Sequence, residues 1–352
     1  MVSSHLSAKG LTPPKVFALG GPTASGKTAL AVQLVQLGLP LELVNFDASQ
    51  LYRGLDAATA KPTAAERAAA PFHLLDLLDP QQPAAAGQWA EWALACLADI
   101  HSRGRWPLLV GGTGLYLRAL RRGLAPIPAV DPQVRAQILA ELAERGPGAL
   151  HQELALVDPV YAAATPAANR QRVARALEVY RATGRAFSQW HAEHRAQPDR
   201  VDCALAVLTP TKEWLQPRIA SRATAMVEPL LAEVAQLLAA GVPLEAPGLQ
   251  ALGYRNAARV VQGQLPAAQL GELLIAEHQS YAKRQITWFA AEPAHLRPDP
   301  AQLSADPGGG YEGAQEGRQG NGNSGNIHSL EQLARSVQAW FGGPKSSGGS
   351  RR

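Results

Sequence analysis

The feature that narrows the fold most is the segment GPTASGKT at residues 21–28. An apolar run, Val16 to Leu19, leads into it, and a helix-forming stretch at 27–38 follows. Gly21, the spacers Pro22, Thr23, Ala24 and Ser25, and then Gly26, Lys27 and Thr28 match G-x-x-x-x-G-K-[ST]. Glycines in such a loop let backbone N–H groups turn inward around phosphate oxygens. The lysine adds a point charge, and the Thr28 hydroxyl suits Mg²⁺. The helix that follows presents its positive end to the same anion. Strand, loop and helix in this order predict an α/β fold with a parallel sheet flanked by helices. The loop leaves open which phosphate is bound, because kinases, NTPases and some transferases share it.

The next apolar run, LELVNFD at 41–47, predicts a second buried parallel strand closing on Asp47. In open α/β sheets ligands sit at the carboxyl ends of the strands, which places Asp47 on the phosphate-loop side. A cap or turn role for Asp47 stays open on spacing alone. FHLLDLLDP at 72–80 predicts a short strand entering a loop, and 87–103 has helical spacing with Trp89 and Trp92 facing the core. Leu108 to Val110 predicts a third buried strand, followed by the Gly111-Gly112-Thr113 turn and a helix over 114–121. Thr113 on that turn would point into the same cleft, or serve simply as a cap.

Composition shifts at 123–132, a Pro-rich connection, and 132–195 is helical with many arginines. The expected organisation is a core over 15–125 and 201–295, an inserted all-helical domain over 126–200, and a flexible low-complexity tail over 296–352. DCALAVLTP at 202–210 returns to the sheet. The next helix carries Arg218 and Arg222 on one face, within reach of the cleft if it starts at the strand's carboxyl edge. A separate amphipathic helix is expected over 229–241, then a turn and helix over 247–261, and a long helix over 266–289. The last of these ends YAKRQITWF, whose bases and aromatics suit stacking on unpaired nucleobases beside phosphate contacts, or an ordinary amphipathic surface. Residues 305–326, rich in Gly, Asn and Gln, read as a linker, and 329–341 as a short helix with Ser329 and Gln332 in capping-box positions. Cys96 and Cys203 lie in apolar contexts with neither disulfide-framework nor metal-site spacing. The formal charge of +4 permits an anionic partner. Neither a signal pattern nor a membrane-length apolar run is present in the sequence, so a cytoplasmic location without a membrane partner is expected.

Taken together, GPTASGKT, FDASQLYRGLDAATAKP (46–62), LVGGTGLYL (109–117), QRVARALEVY (171–180), LGYR (252–255) and AKRQITWF (282–289) resemble the tRNA dimethylallyltransferase family, in unbroken order over about residues 15–290. The resemblance implies a P-loop NTPase-like, kinase-like core with an inserted all-helical domain, dimethylallyl diphosphate as donor, Mg²⁺ as cofactor, and transfer to N6 of the adenosine 3′ of the anticodon; a monomer is expected. It implies Asp47 as general base and Thr113 as the residue orienting the reacting groups. It implies contacts to the tRNA anticodon loop from Asp47, Ala48, Ser49, Gln50, Thr113, Arg135, Gln171, Arg172, Val173, Ala174, Arg175, Gln250, Tyr254, Arg255, Lys283, Arg284 and Gln285. Ala48 departs from the D-S-x-Q the family usually has, Ala58 from the first glycine of G-T-A-K-P, and Arg170 from a common Asp. Those departures bear on individual tRNA contacts.

The chemistry fits these residue types. An allylic diphosphate ionises when its leaving group is stabilised, here by loop amides, Lys27, Mg²⁺ on Thr28, and Arg222. The adenine N6 amine is a weak nucleophile that becomes acidic as its bond to carbon forms, so a nearby carboxylate helps. Three rivals share the loop. A prenyl transfer to free adenosine phosphates would need no basic insertion, a small-molecule kinase would move the γ-phosphate of ATP, and an RNA-binding ATPase would show RNA-stimulated hydrolysis.

Overall fold

A computed structural model describes residues 12–303 and 329–342. Five strands, β1 (Lys15–Gly20), β2 (Leu41–Asn45), β3 (Phe72–His73), β4 (Trp106–Val110) and β5 (Asp202–Val207), form one sheet in the order β3-β2-β4-β1-β5. Every pairing is parallel; Phe17 lies opposite both Leu108 and Ala204. The apolar runs of the sequence are continuous because both faces are covered. Val16, Ala18 and Val44 enter one core, and Phe17, Leu19, Leu41 and Leu43 enter the other. That is the period-two alternation of a strand.

Helices follow as α1 (Lys27–Gln36), α2 (Ala64–Ala69), α3 (Ala86–Ser102), α4 (Gly114–Arg122), α5 (Pro132–Val157), α6 (Pro159–Ala163), α7 (Arg170–Thr183), α8 (Phe187–Arg195), α9 (Lys212–Ala239), α10 (Tyr254–Val261), α11 (Leu270–Ala290), α12 (Pro300–Leu303) and α13 (Leu330–Gly342). The first core takes Trp89 and Leu97 of α3, Leu117 of α4, Leu230 of α9 and Leu274 of α11; the second takes Leu30 and Leu34 of α1 with Leu333 and Val337 of α13. Residues 122–199 form a compact unit of their own. Its core joins Ile138, Leu142, Leu150 and Leu154 of α5 to Val173 and Leu177 of α7, and α5 bends at Gly146.

Two expectations are corrected, and a third, the short helix over 329–341, is present. The helices expected to be separate over 211–226 and 229–241 are one, α9, despite Pro217 and Pro229. Leu215, Ile219, Ala223, Met226, Leu230 and Val234 form an unbroken buried stripe, and packing on both sides of each proline outweighs its lost hydrogen bond. The tail does not start at 296. Val207 N–H donates to Leu296 O (2.9 Å), Thr209 N–H donates to Pro298 O (3.0 Å), and Leu303 is buried, so the chain runs alongside β5 to 303. The short helix is α13, and it docks. Leu333 and Val337 are fully buried, Phe341 stacks on Trp106, and Lys15 Nζ donates to Trp340 O at 3.0 Å. Ser329 Oγ caps Gln332 N–H at 3.2 Å. The stretch 305–326 lies outside the described residues.

Candidate active site

β1 and α1 are joined by the loop 21–26, and α1 starts at Lys27. Gly26 sits at φ 83°, a left-handed conformation that opens the helix N-terminus toward the loop at little steric cost. Lys27 Nζ donates to Pro22 O at 2.6 Å, so the ammonium folds across the loop's mouth. Desolvation brings Lys27 down to about 7, against the opposing pull of Asp47 and with the help of Arg222. Thr28 makes no side-chain hydrogen bond among the described residues and lines the cavity beside Lys27.

α9 supplies the cations opposite. Arg222 donates to Thr23 Oγ1, and Arg218 Nε donates to Ala24 O at 3.3 Å while its guanidinium lies 4.3 Å from the Trp214 ring centre. Burial holds the Arg222 guanidinium below its ordinary value, with Asp47 partly offsetting this. A buried guanidinium, a lysine and a helix N-terminus converging on one cavity are a receptor for a multiply charged anion.

Asp47 lies two residues past β2 and lines that same cavity, of about 350 Å³. Its backbone is pinned by Asn45, which accepts from Asp47 N–H (2.9 Å) and donates to Asp47 O (3.1 Å). Asp47 Oδ1 accepts from Ser49 N–H (3.1 Å) and Ser49 Oγ (2.7 Å). That leaves Oδ2 without a hydrogen-bond partner among the described residues. Ser49 thus supplies a hydroxyl that Ala48 cannot. Thr113, on the turn after β4, donates its N–H to Phe46 O at 3.1 Å and accepts from Ala48 N–H at the same distance. The carboxylate turn and the Gly-Gly-Thr turn are therefore one unit at the sheet's carboxyl edge.

The cavity's other wall is residues 59–63, absent from the sequence-based site. Gln50 Nε2 holds it, donating to Thr59 O (3.2 Å) and Ala60 O (2.9 Å). Lys61, with a side chain only 3% exposed, bridges Asp56 and Asp76. The signal for this wall was the T-A-K-P string itself, which carries a buried lysine that composition alone presents as a surface one. Glu233 of α9 accepts from Asp56 N–H (2.9 Å), Ala57 N–H (3.0 Å) and the Tyr254 hydroxyl (2.5 Å).

Several residues expected to touch tRNA are interior. Tyr254 is fully buried, with its hydroxyl on Glu233, so it supports the 56–61 wall from inside. Gln285 is 4% exposed, and its carboxamide lies between Thr23 N–H and Gly112 O. Phe289 is core, and Trp288 packs where a Cβ on Gly114 would overlap its indole. The aromatic half of 281–289 thus braces the two loops, and the expected free stacking strip is corrected: α11 must bury one face. Lys283 and Arg284, on its other face, are exposed, as are Gln250 and Arg255. In the helical unit Val173 and Ala174 are buried in its core, which corrects them as side-chain contacts. Gln171, Arg172 and Arg135 are exposed. Arg175 Nη1 (3.1 Å) and Arg135 Nε (4.0 Å) share the buried carboxylate of Glu178.

Among the described residues no group of three or more His, Cys, Asp or Glu side chains is arranged to hold a metal ion. The cavity instead offers the unengaged Thr28 hydroxyl beside a phosphate cradle. That donor set fits Mg²⁺, which commonly binds through few protein oxygens plus substrate phosphates. No helix among the described residues is long and apolar enough to cross a membrane.

The IPP transferase family model matches residues 50–292. A tRNA dimethylallyltransferase of Stenotrophomonas maltophilia is 44% identical over 287 residues, covering 79% of this chain and 90% of the relative. The crystal structure of a full-length tRNA isopentenylpyrophosphate transferase from Bacillus halodurans matches with TM-score 0.58 and 34% identity, over 79% of this chain and 88% of that one. A eukaryotic dimethylallyltransferase captured acting on tRNA matches with TM-score 0.62 and 26% identity, over 78% of this chain and 69% of that one.

Proposed function

The chain belongs to the IPP transferase family, and from that premise we propose that it transfers the dimethylallyl group of dimethylallyl diphosphate to N6 of the adenosine 3′ of the anticodon in tRNA, releasing diphosphate. The observation that carries the reaction is the meeting in one cavity of an anion cradle and a carboxylate, Lys27 and Arg222 on one side and Asp47 on the other.

Lys27, Arg222 and the amides at the start of α1 hold the diphosphate and take up the negative charge that grows as the C1–O bond breaks. The Thr28 hydroxyl would hold Mg²⁺, which when bound would supply further charge neutralisation to the leaving group. N6 attacks C1, the N–C bond forms as the C–O bond breaks, and Asp47 takes the N6 proton. Base help of this kind contributes about 10²–10⁴-fold. Ser49 fixes the carboxylate so that its remaining oxygen is the one available. Thr113 keeps the acceptor turn in register with Ala48. The acceptor base enters unstacked, which costs less in a loop than in a duplex.

Exposed Arg135, Arg172, Arg255, Lys283 and Arg284 support tRNA binding through phosphate contacts by their charge, and exposed Gln171 and Gln250 by hydrogen bonds from their carboxamides. A tRNA substrate supports a cytoplasmic location. The deciding experiment offers labelled dimethylallyl diphosphate with tRNA, with AMP and with no acceptor. Label in tRNA at the N6-modified nucleoside supports the proposal; label in AMP alone, or phosphate transfer from ATP instead, overturns it.

A further inference from the structure

Among the described residues, the Gln285 side chain hydrogen-bonds to both the phosphate loop and the Gly111-Gly112-Thr113 acceptor turn. Its Oε1 accepts from Thr23 N–H at 2.7 Å, and its Nε2 donates to Gly112 O at 3.1 Å. The residue is 4% exposed. A carboxamide presents an acceptor and a donor side by side with no charge at any pH, and bridging an N–H to a C=O uses both. The approach is close: a Cβ on Gly112 would overlap Gln285 Nε2, so the turn's glycine and the glutamine are matched.

Both ends of the bridge lead to the chemistry. Thr23 accepts from Arg222 through its own hydroxyl, so Gln285 and Arg222 fix the loop residue by its backbone and its side chain. Gly112 precedes Thr113, whose hydroxyl holds Ala48 N–H next to Asp47. Tyr281, one turn earlier on α11, lies against the side chains of Thr113 and Gln285. Lys283 and Arg284 flank the bridge on the exposed face of the same helix turn.

We propose that Gln285 is a positioning residue that sets the distance between the diphosphate cradle and the Asp47–Thr113 turn, linking donor and acceptor halves of the site through α11. This rests on the reaction proposed above. Its role is internal to the protein, distinct from the RNA contact that its place in the motif suggests.

The test compares Gln285→Met and Gln285→Glu, both close to the native length. Met removes donor and acceptor together. An ionised Glu keeps the acceptor for Thr23 N–H but opposes Gly112 O with a second acceptor; a protonated one restores the donor. Burial raises a carboxyl pKa toward neutrality, so the protonated form is accessible. Expected is a fall in kcat of at least about tenfold for Gln285→Met at every pH, with tRNA Kd within about twofold of the unaltered protein. For Gln285→Glu, kcat relative to the unaltered protein should recover as pH falls from about 8 to about 6. Wild-type kcat in both folded variants, a relative kcat of Gln285→Glu that ignores pH, or a loss confined to tRNA Kd overturns the proposal.

Amide exchange in the unaltered protein tests the bridge without any variant. Slow exchange at Thr23 supports it, and exchange at the rate of an open loop overturns it. An unaltered chain that modifies no tRNA would sink the reaction itself, while the exchange result would still decide the bridge.

Discussion

Thr113 Oγ1 accepts the backbone N–H of Ala48 at 3.1 Å. This one bond ties the turn after β4 to the turn after β2 and fixes the residue next to Asp47. Because Asn45 pins the Asp47 backbone and Ser49 occupies one carboxylate oxygen, the side chain has little freedom left. For the proposed role of Asp47 as base, such a restrained carboxylate is the arrangement a bimolecular transfer benefits from.

Replacing Asp47 with Asn keeps the shape and removes the proposed base. Turnover should drop by about 10²–10⁴-fold, with donor and tRNA affinities changing little. Pre-steady-state transfer measured beside equilibrium binding checks this. A matching loss in tRNA binding would make Asp47 an RNA contact and not the base.

Lys27 gives a pH signature. With its pKa brought down to about 7, the free protein carries a neutral Lys27 above that value, whereas a bound diphosphate favours the charged form. Donor binding should therefore take up a proton between pH 7 and the ordinary lysine range near 10, and weaken as pH rises through it. The sign for stability is opposite. Over the same window the unfolded chain binds more protons than the folded one, so the ligand-free protein gains stability as pH rises. Calorimetry in buffers of different ionisation heat reads the uptake. An equal uptake in Lys27→Met would assign the proton to another group.

Arg172 and Arg175 should separate. Arg172 is exposed and makes no ion pair among the described residues, so Arg172→Ala should weaken tRNA binding and lower the salt slope by about one, at unchanged melting temperature. Arg175→Ala removes the nearer partner of buried Glu178 and should also lower the melting temperature. Salt-dependent binding and thermal melts on both variants decide. Equal melting temperatures would show that Glu178 does not need Arg175.

Tyr254→Phe deletes the hydroxyl held by Glu233. Stability should fall by about 1–2 kcal/mol, with no change in the salt slope of tRNA binding. A reduced slope with normal stability would return Tyr254 to the RNA-facing set.

Leu333 on α13 is fully buried against the α1 face of the sheet. Leu333→Ala should cost about 2–4 kcal/mol in denaturant melts. A cost near zero would mean that α13 contributes nothing to the core.

What could be seen in the chain beforehand was local. Residues 21–28 specify a loop whose glycines and lysine are adjacent in sequence, so the cradle's geometry follows from its own backbone. Asp47 and Thr113 each follow the end of a buried strand, and parallel strands put such ends at one edge, which is why both could be placed before any coordinates. The basic helices of 132–195 were equally visible as periodicity. Burial decided the remainder. Gln285, Phe289 and Tyr254 sit among bases and look exposed by composition, yet α11 and α10 turn these side chains inward. Periodicity gives a helix two faces without saying which meets the protein and which meets solvent, because that depends on elements far away in sequence. The 262-residue separation between Thr23 and Gln285, the α13 dock and the continuity of α9 through two prolines are of this kind. The sequence by itself determined the chemistry, since a phosphate cradle and a strand-end carboxylate are written in short strings. Tertiary packing decided which side chains hold those strings at working distance, since only the folded chain brings their partners within hydrogen-bond reach.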